Sequence, residues 1–394
     1  MNVSRSLLLL TLACGSSSAQ KIQAPVTIPF ELRSDAVLLK ANINGHDALL
    51  ILDSGSGVSV LDSTFAATAE LKPSNSHVDV VGKTSTGVQL ATAQSVRIGE
   101  VELYNVPIAA LNLSAVRQRI GQDVVGTVGY DLFIHYVVTI DFAARQIVLS
   151  DPKEFDYTGK GVVIPVKLGT RTPVMTAMLT TRQHGTIPAR LNLDLGSSGY
   201  LIKLSSSFVE AHSLSTDTIP VRGILGVGVG GVTEGDLMRF PSIQLSTLHI
   251  TRPSAALSHE VTGNFGRTAQ TDGTIGMPVF RRTKLTFDYS RSRAILEPVG
   301  NFDVADTVDA SGIVSLTDSN GQSLRIIYIV GGSVALAAGL KIGDEIVSID
   351  NRPVSAMPAA VRHALLEADG AHRQITVRRE GKLFSVSLTL RQVI

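Results

Sequence analysis

The chain has 394 residues, room for two or three domains, and its charge is balanced at 35 Lys+Arg against 34 Asp+Glu. No basic block stands out, which leaves no electrostatic footprint for nucleic acid. Val, Ile, Thr, Leu, Gly and Ser are plentiful and long helical patterns are few, so the expected fold class is mostly β.

In chain order, residues 1–19 come first. Arg5 precedes an apolar run at 7–13, and small residues follow up to Ala19. That is the layout of a secretory signal, and the run is too short to span a bilayer. Ser17-x-Ala19 offers a cleavage site with a mature start near Gln20, so a secreted or periplasmic location is expected. The sole cysteine, Cys14, ends "TLAC", which also resembles a bacterial lipoprotein acylation site, although Thr11 is unusual there. A lipid anchor at Cys14 is therefore the alternative. The rest of the chain has no cysteine, hence no disulfide and no thiol chemistry.

Next, Asn44-Gly45 between "VLLKANI" and "HDALLIL" predicts a tight hairpin. The second of these runs ends at an acid, in "LLILDSGSGVSVLD" (49–62). A carboxylate at the end of an apolar strand costs free energy unless something compensates it. The chain then turns into a short helix with Asp62 or Ser63 as N-cap. "VVGKTSTGVQL" (80–90) reads as a glycine-bearing hairpin, and "GTVGYDLF" (126–133) follows.

From here the chain repeats itself. Residues 126–151 align without a gap on 273–298, an offset of 147, pairing Gly129 with Gly276 and Asp141 with Asp288. "RLNLDLGSSGYLIKL" (190–204) places Asp194 at 141 residues from Asp53, nearly the same offset. Two homologous halves follow, 25–150 and 160–298, with polar linkers at 150–161 and 298–312. The second half offers its own glycine-rich hairpin at 223–237 and a serine-capped helix after "YLIKL". The tail, 310–394, differs from both halves. It reads as a small α+β unit, with a short helix ended at Gly339, a helix from about 357 with Pro358 in its first turn, and two closing strands.

One Asp-x-Gly loop is an ordinary hairpin turn. Two at matching places in a duplicated β unit meet near its axis. Two carboxylates in contact cannot both ionise, so they share a proton and titrate as a unit. Water held between them is deprotonated by the charged member, while the protonated member polarises a peptide carbonyl. Gly55 and Gly196 let backbone N–H groups approach the carboxylates, and Ser54, Ser56, Ser197 and Ser198 leave room and add hydrogen bonds. On this reading Asp53 and Asp194 are the catalytic pair.

"ILDSGSGVSVLD" resembles the apolar-apolar-Asp-(Thr/Ser)-Gly-(Ala/Ser) motif of the pepsin and retropepsin aspartic peptidases. "GTVGYDLF" and "GTIGMPVF" resemble the segments that pass behind each active-site loop in that family, through Gly129 and Gly276. "GGSVALAAGLKIGDEIVSIDNRPV" resembles the PDZ core of periplasmic proteases. The resemblance implies two pepsin/retropepsin-like β lobes with short helices, then a PDZ domain. It implies an aspartic endopeptidase with no cofactor and no metal, acting on a peptide or protein substrate. Both lobes lie in one chain, so a monomer is expected. A C-terminal peptide ligand would bind the PDZ loop at Gly312 and Ile313. The chain departs from the family at Leu195, where a hydroxyl residue braces the two loops. Ser54 retains that group. The departure keeps open a catalytically weak or inactive peptide-binding protein as the alternative. Gly226-x-Gly228-x-x-Gly231 lacks the strand–turn–helix context of a dinucleotide site, and no histidine pair has metal spacing. Asp141 and Asp288 read as hairpin caps.

Overall fold

A computed structural model of the chain describes residues 17–394, apart from 82–84, 170, 217–220, 229–230, 264, 268 and 319. The apolar run at 7–13 and Cys14 lie outside the described residues, as does the tip of the 80–90 hairpin. The protein is mostly β, built from four sheets.

The first sheet has nine strands around His46–Leu52 and Val124–Val128, which pair in parallel. Asn44 and Gly45 both hold positive φ in the two-residue turn joining Ala36–Ile43 to His46–Leu52, as that turn requires. Asp62, rather than Ser63, caps the helix Ser63–Thr68 by accepting from the Thr64 amide at 3.1 Å. The second sheet repeats the plan with nine strands around Thr186–Leu193 and Gly273–Ile275, again parallel, and Ser205 caps helix Ser206–Ala211.

A third sheet of six strands joins the halves. Val137–Asp141 pairs antiparallel with Thr283–Asp288, and Thr139 faces Thr286. These two threonines are equivalent across the 147-residue repeat, and their hydroxyls lie 2.9 Å apart. A residue that pairs with its own repeat equivalent marks a two-fold axis. The axis therefore runs through this pair. Leu50, Leu52, Leu191, Leu193, Phe133, Phe280 and Phe287 belong to one apolar core that both halves share. The repeat acid Asp288 is fully buried and accepts from Ser290, Arg291 and Arg293, while Asp141 caps its turn through the Ala144 amide.

The tail forms the fourth sheet, Ile313–Thr317, Leu324–Ile329, Glu345–Ile349, His372–Arg379 and Lys382–Thr389, with Arg352–Pro353 on its side, over a core of its own. Helix Val334–Ala337 stops before Gly339, which takes the left-handed conformation. Pro358 stands just before helix Ala359–Glu367 rather than in its first turn, where its ψ of 147° is extended and its missing N–H costs nothing. The tail docks on the second half through Asp306. The Asp306 carboxyl accepts from the Ser254 amide at 2.8 Å and from the Ser254 hydroxyl, and it pairs with Arg239.

Residues 17–19, assigned to a leader by their sequence, are an edge of the first sheet. Ser18–Ala19 pair with Tyr104 and Leu103, and the Ser17 hydroxyl donates to Asp131 at 2.7 Å.

Candidate active site

Strands His46–Leu52 and Thr186–Leu193 each end at an aspartate. The Asp53 amide donates to Val128 O and the Asp194 amide to Ile275 O, both at 3.0 Å, so the parallel neighbour strand holds each loop at its root. The chain after each loop then passes behind it. Tyr130 N donates to Ser56 O at 3.0 Å, and Met277 N to Ser197 O at 2.9 Å. A side chain at Gly129 would overlap Ser56 O, and one at Gly276 would overlap Ser197 O. These two glycines are the price of such a close crossing.

The loops meet face to face. Asp53 Oδ1 accepts from the Gly55 amide at 2.9 Å, and Asp194 Oδ1 from the Gly196 amide at 2.8 Å. A Cβ on Gly55 would collide with the Asp194 carboxyl, and one on Gly196 would lie 2.7 Å from Asp53 Oδ2. Each glycine thus makes room for the opposite lobe's acid, and the two carboxyls are in hydrogen-bonding contact. Burial, and then the Asp194 charge, raise Asp53 far above the usual carboxylate range. Burial also raises Asp194, but the Lys203 cation opposes it. The two carboxyls thus share a proton and titrate as a pair.

The brace between the loops is one-sided. Ser54 Oγ donates to Leu193 O at 2.7 Å and accepts from Leu195 N at 3.0 Å, crossing from one lobe to the other. Leu195 is 0 % exposed and packs in the shared core. Apolar packing takes the place of the second hydroxyl. The other serines do not reach the carboxylates: Ser56 donates to Val58 O, and Ser197 meets Thr274 Oγ1 at 3.3 Å. Beneath the loops the Tyr289 ring stacks on Phe133, and its hydroxyl is buried without a hydrogen-bond partner among the described residues.

Two residues that the sequence did not single out join this site. Arg119, on the first-lobe helix Ser114–Ile120, donates to the Ser198 hydroxyl on the second lobe's loop. Lys203 lies in strand Ile202–Leu204, with its amine beneath Gly226 of the hairpin Val221–Gly228/Gly231–Arg239. Lys203 alternates with buried leucine and isoleucine, so in sequence it passes for an ordinary outward residue of a half-buried strand. That hairpin is the second half's glycine-rich hairpin, and it packs against the first-lobe helix. The glycine-bearing hairpin of the first half, Lys72–Val81 with Ser85–Ile98, has its tip at 82–84, outside the described residues. Among the described residues no cluster of His, Cys, Asp and Glu can hold a metal.

In the tail, the Gly312 amide donates to Asp309 Oδ1 at 2.6 Å and the Ile313 amide to Ser311 Oγ at 3.1 Å. Both amides of the expected carboxylate loop are thus bonded to the loop's own side chains, and Ile313 is buried in the tail's core. Among the described residues strand Ile313–Thr317 pairs only with Leu324–Ile329, and the helix Ser114–Ile120 packs against it.

Two β lobes about a two-fold axis each bring an Asp-x-Gly loop to a common site. The aspartyl protease family model matches residues 39–132, and the PDZ domain model matches 303–378. The chain therefore carries a retropepsin-like aspartyl protease domain and a C-terminal PDZ domain. The second lobe, with Asp194, lies outside both matched ranges, and its kinship with the first rests on the repeat. No curated protein matches the chain. Among solved structures, the photosystem II D1 C-terminal processing protease is similar over 22 % of this chain and 24 % of its own, at 22 % identity and a TM-score of 0.20. The chain thus spans about a quarter of that protein's length.

Proposed function

We propose that the protein is an aspartic endopeptidase whose catalytic pair is Asp53 and Asp194. The observation that carries this reading is the reciprocal fit of the two loops, in which each glycine leaves space for the opposite carboxyl. Asp194, kept ionised beside Lys203, takes a proton from a water in the cleft. The water oxygen bonds to the peptide carbonyl carbon while Asp53 gives its proton to the carbonyl oxygen. When the resulting diol collapses, one of its hydroxyls returns a proton to Asp53 and re-forms the carbonyl, the C–N bond breaks, and the proton on Asp194 passes to the departing amine. No covalent enzyme intermediate is needed.

One chain supplies both aspartates, which supports a working monomer. A PDZ domain implies a peptide ligand, and we assign it to peptide or protein recognition beside the cleft. The basic and apolar pattern at 1–19 supports export to the periplasm or beyond, with lipidation at Cys14 as the other outcome. The two cross-lobe bonds of Ser54, to Leu193 O and from the Leu195 amide, support the enzymatic reading, while the missing hydroxyl at Leu195 keeps a catalytically weak or inactive peptide-binding protein as the alternative.

The test is cleavage of an unfolded protein substrate across about pH 3–8, the range in which a carboxylate pair titrates. Wild type should cleave, and Asp194→Asn should lose all detectable cleavage. Peptide binding without cleavage at any pH would overturn the enzymatic reading.

A further inference from the structure

Lys203 is a charged side chain in a place that does not ordinarily hold one. The repeat sets it opposite Val60 of the first lobe, since Thr127 faces Val60 and its equivalent Thr274 faces Lys203. Directly opposed residues share a sheet face, so Lys203 lies on the face of Thr274 and Ala256. On that face Thr274 Oγ1 meets Ser197 of the active-site loop. A Cβ built on Gly226 would sit 3.3 Å from Lys203 Nζ, so the hairpin closes over the amine. The residue is 7 % exposed. Among the described residues the amine has no hydrogen bond and no ion pair, yet its charge acts on Asp194 and is acted on by Arg119. A buried ammonium without a partner is costly, and its free energy falls when an anion reaches it.

We infer that Lys203, with Arg119 across the cleft, forms a carboxylate-binding subsite beside Asp194 that selects peptides presenting an acidic side chain or a free C-terminal carboxylate next to the cleaved bond. The two lobes each contribute one cation, from strand Ile202–Leu204 and from helix Ser114–Ile120. The hairpin above supplies no Cβ at Gly226, which keeps the approach to the amine narrow and open. An ammonium already stripped of most of its water gives a carboxylate a stronger interaction than it would find at a surface.

This inference rests on the peptidase reading for its setting, and the experiment separates the two. An octapeptide library carries Glu or Gln at each position in turn, and each peptide is made with a free or an amidated C-terminus. For wild type, kcat/KM for the acid should exceed that for its amide counterpart at least about tenfold at one position, the scale of one charge-assisted hydrogen bond. An internal Glu position identifies a side-chain subsite, and the free terminus identifies a terminal one. Lys203→Met should bring the ratio to about one, and Lys203→Arg should keep most of it. A wild-type ratio near one, or a ratio that survives Lys203→Met in protein with unchanged circular dichroism, overturns the subsite. The same labelled peptides are bound to Asp53→Asn protein by fluorescence anisotropy. If wild type cleaves nothing, the peptidase reading fails by itself. Acid-selective binding lost in the double variant with Lys203→Met still upholds the subsite, and equal binding or none overturns it.

Discussion

At the scale of residues, the site is decided by a hydroxyl, a methyl-rich side chain and an amine. Ser54 satisfies Leu193 O and Leu195 N together. Ser54→Ala leaves a buried amide unpaired, which costs about 1–3 kcal/mol. The expected result is a lower midpoint in urea, with cleavage reduced far more than substrate binding. Leu195→Thr restores the family's residue but removes apolar packing from a fully buried position. It should lower the thermal midpoint without raising kcat, because the brace already exists. Lys203 carries a sign that can be tested. Burial first, and Arg119 second, hold its amine at about 8 against 10.5 for a free lysine, with Asp194 pulling the other way. The folded state thus releases a proton more readily than the unfolded state, so stability rises as pH climbs from about 8 to 10.5. Lys203→Met should stabilise the protein below pH 8, with a gain that fades above 10.5 in denaturant titrations. The same variant removes a cation from Asp194, so the acidic limb of the activity profile should move to higher pH.

At the scale of elements, the parallel pairing of His46–Leu52 with Val124–Val128, and of Thr186–Leu193 with Gly273–Ile275, places the two aspartate loops. The short helix that follows each Gly-Thr-(Val/Ile)-Gly segment, Tyr130–Phe133 or Met277–Phe280, starts within backbone contact of the loop it supports. Gly276→Ala puts a Cβ into Ser197 O, a backbone atom that cannot turn aside. Gly129→Ala does the same to Ser56 O. Each should destabilise by about 3 kcal/mol or more, beyond the usual range for a surface change. Loss of cooperative unfolding in differential scanning calorimetry would be the readout. The glycine-rich second-lobe hairpin contrasts with this, since Gly228 has open space around it and Gly226 faces only the lysine amine. Gly223 and Gly235, at the base of the same hairpin, are packing glycines instead, since a Cβ on Gly235 would meet Leu257 O and one on Gly223 the Leu237 side chain.

At the scale of the whole molecule, the two large apolar cores are joined by polar contacts and by a small apolar cluster in which Ile394 packs against Leu225, Leu237 and Ala256. The lobes share one core, and the PDZ domain has its own. Asp306 in the connecting segment joins them through Arg239 and Ser254, and its carboxyl is fully shielded from solvent. Asp306→Ala would remove the carboxylate that balances the buried Arg239 guanidinium, leaving it the backbone oxygens at Arg252, Asp306 and Ile394 and the Gln392 side-chain oxygen, a change that costs about 3 kcal/mol. Limited proteolysis should then cut within 299–312 at a rate that wild type resists. An unchanged digestion pattern would mean that the helix Ser114–Ile120, which abuts both the second-lobe hairpin and strand Ile313–Thr317, suffices to hold the junction.

The sequence by itself determined the β class, the duplication, the paired aspartates with their glycines and the separate PDZ tail. Each of these is local or repeated, and a repeat makes weak local signals reinforce one another. Even the axis was implicit in the 147-residue offset, although only the pairing of Thr139 with Thr286 locates it. Tertiary structure alone decided the rest. Leu195 is tolerable because Ser54, 141 residues away, already bonds its amide. The Gly312 and Ile313 amides are occupied because the preceding turn folds Asp309 and Ser311 back onto them. Lys203 reads as a surface residue in its strand, and it becomes part of the cleft only when a hairpin more than twenty residues downstream closes over it. Long-range closure, unlike period or repeat, leaves no mark in the order of residues, because it depends on which surfaces bury one another.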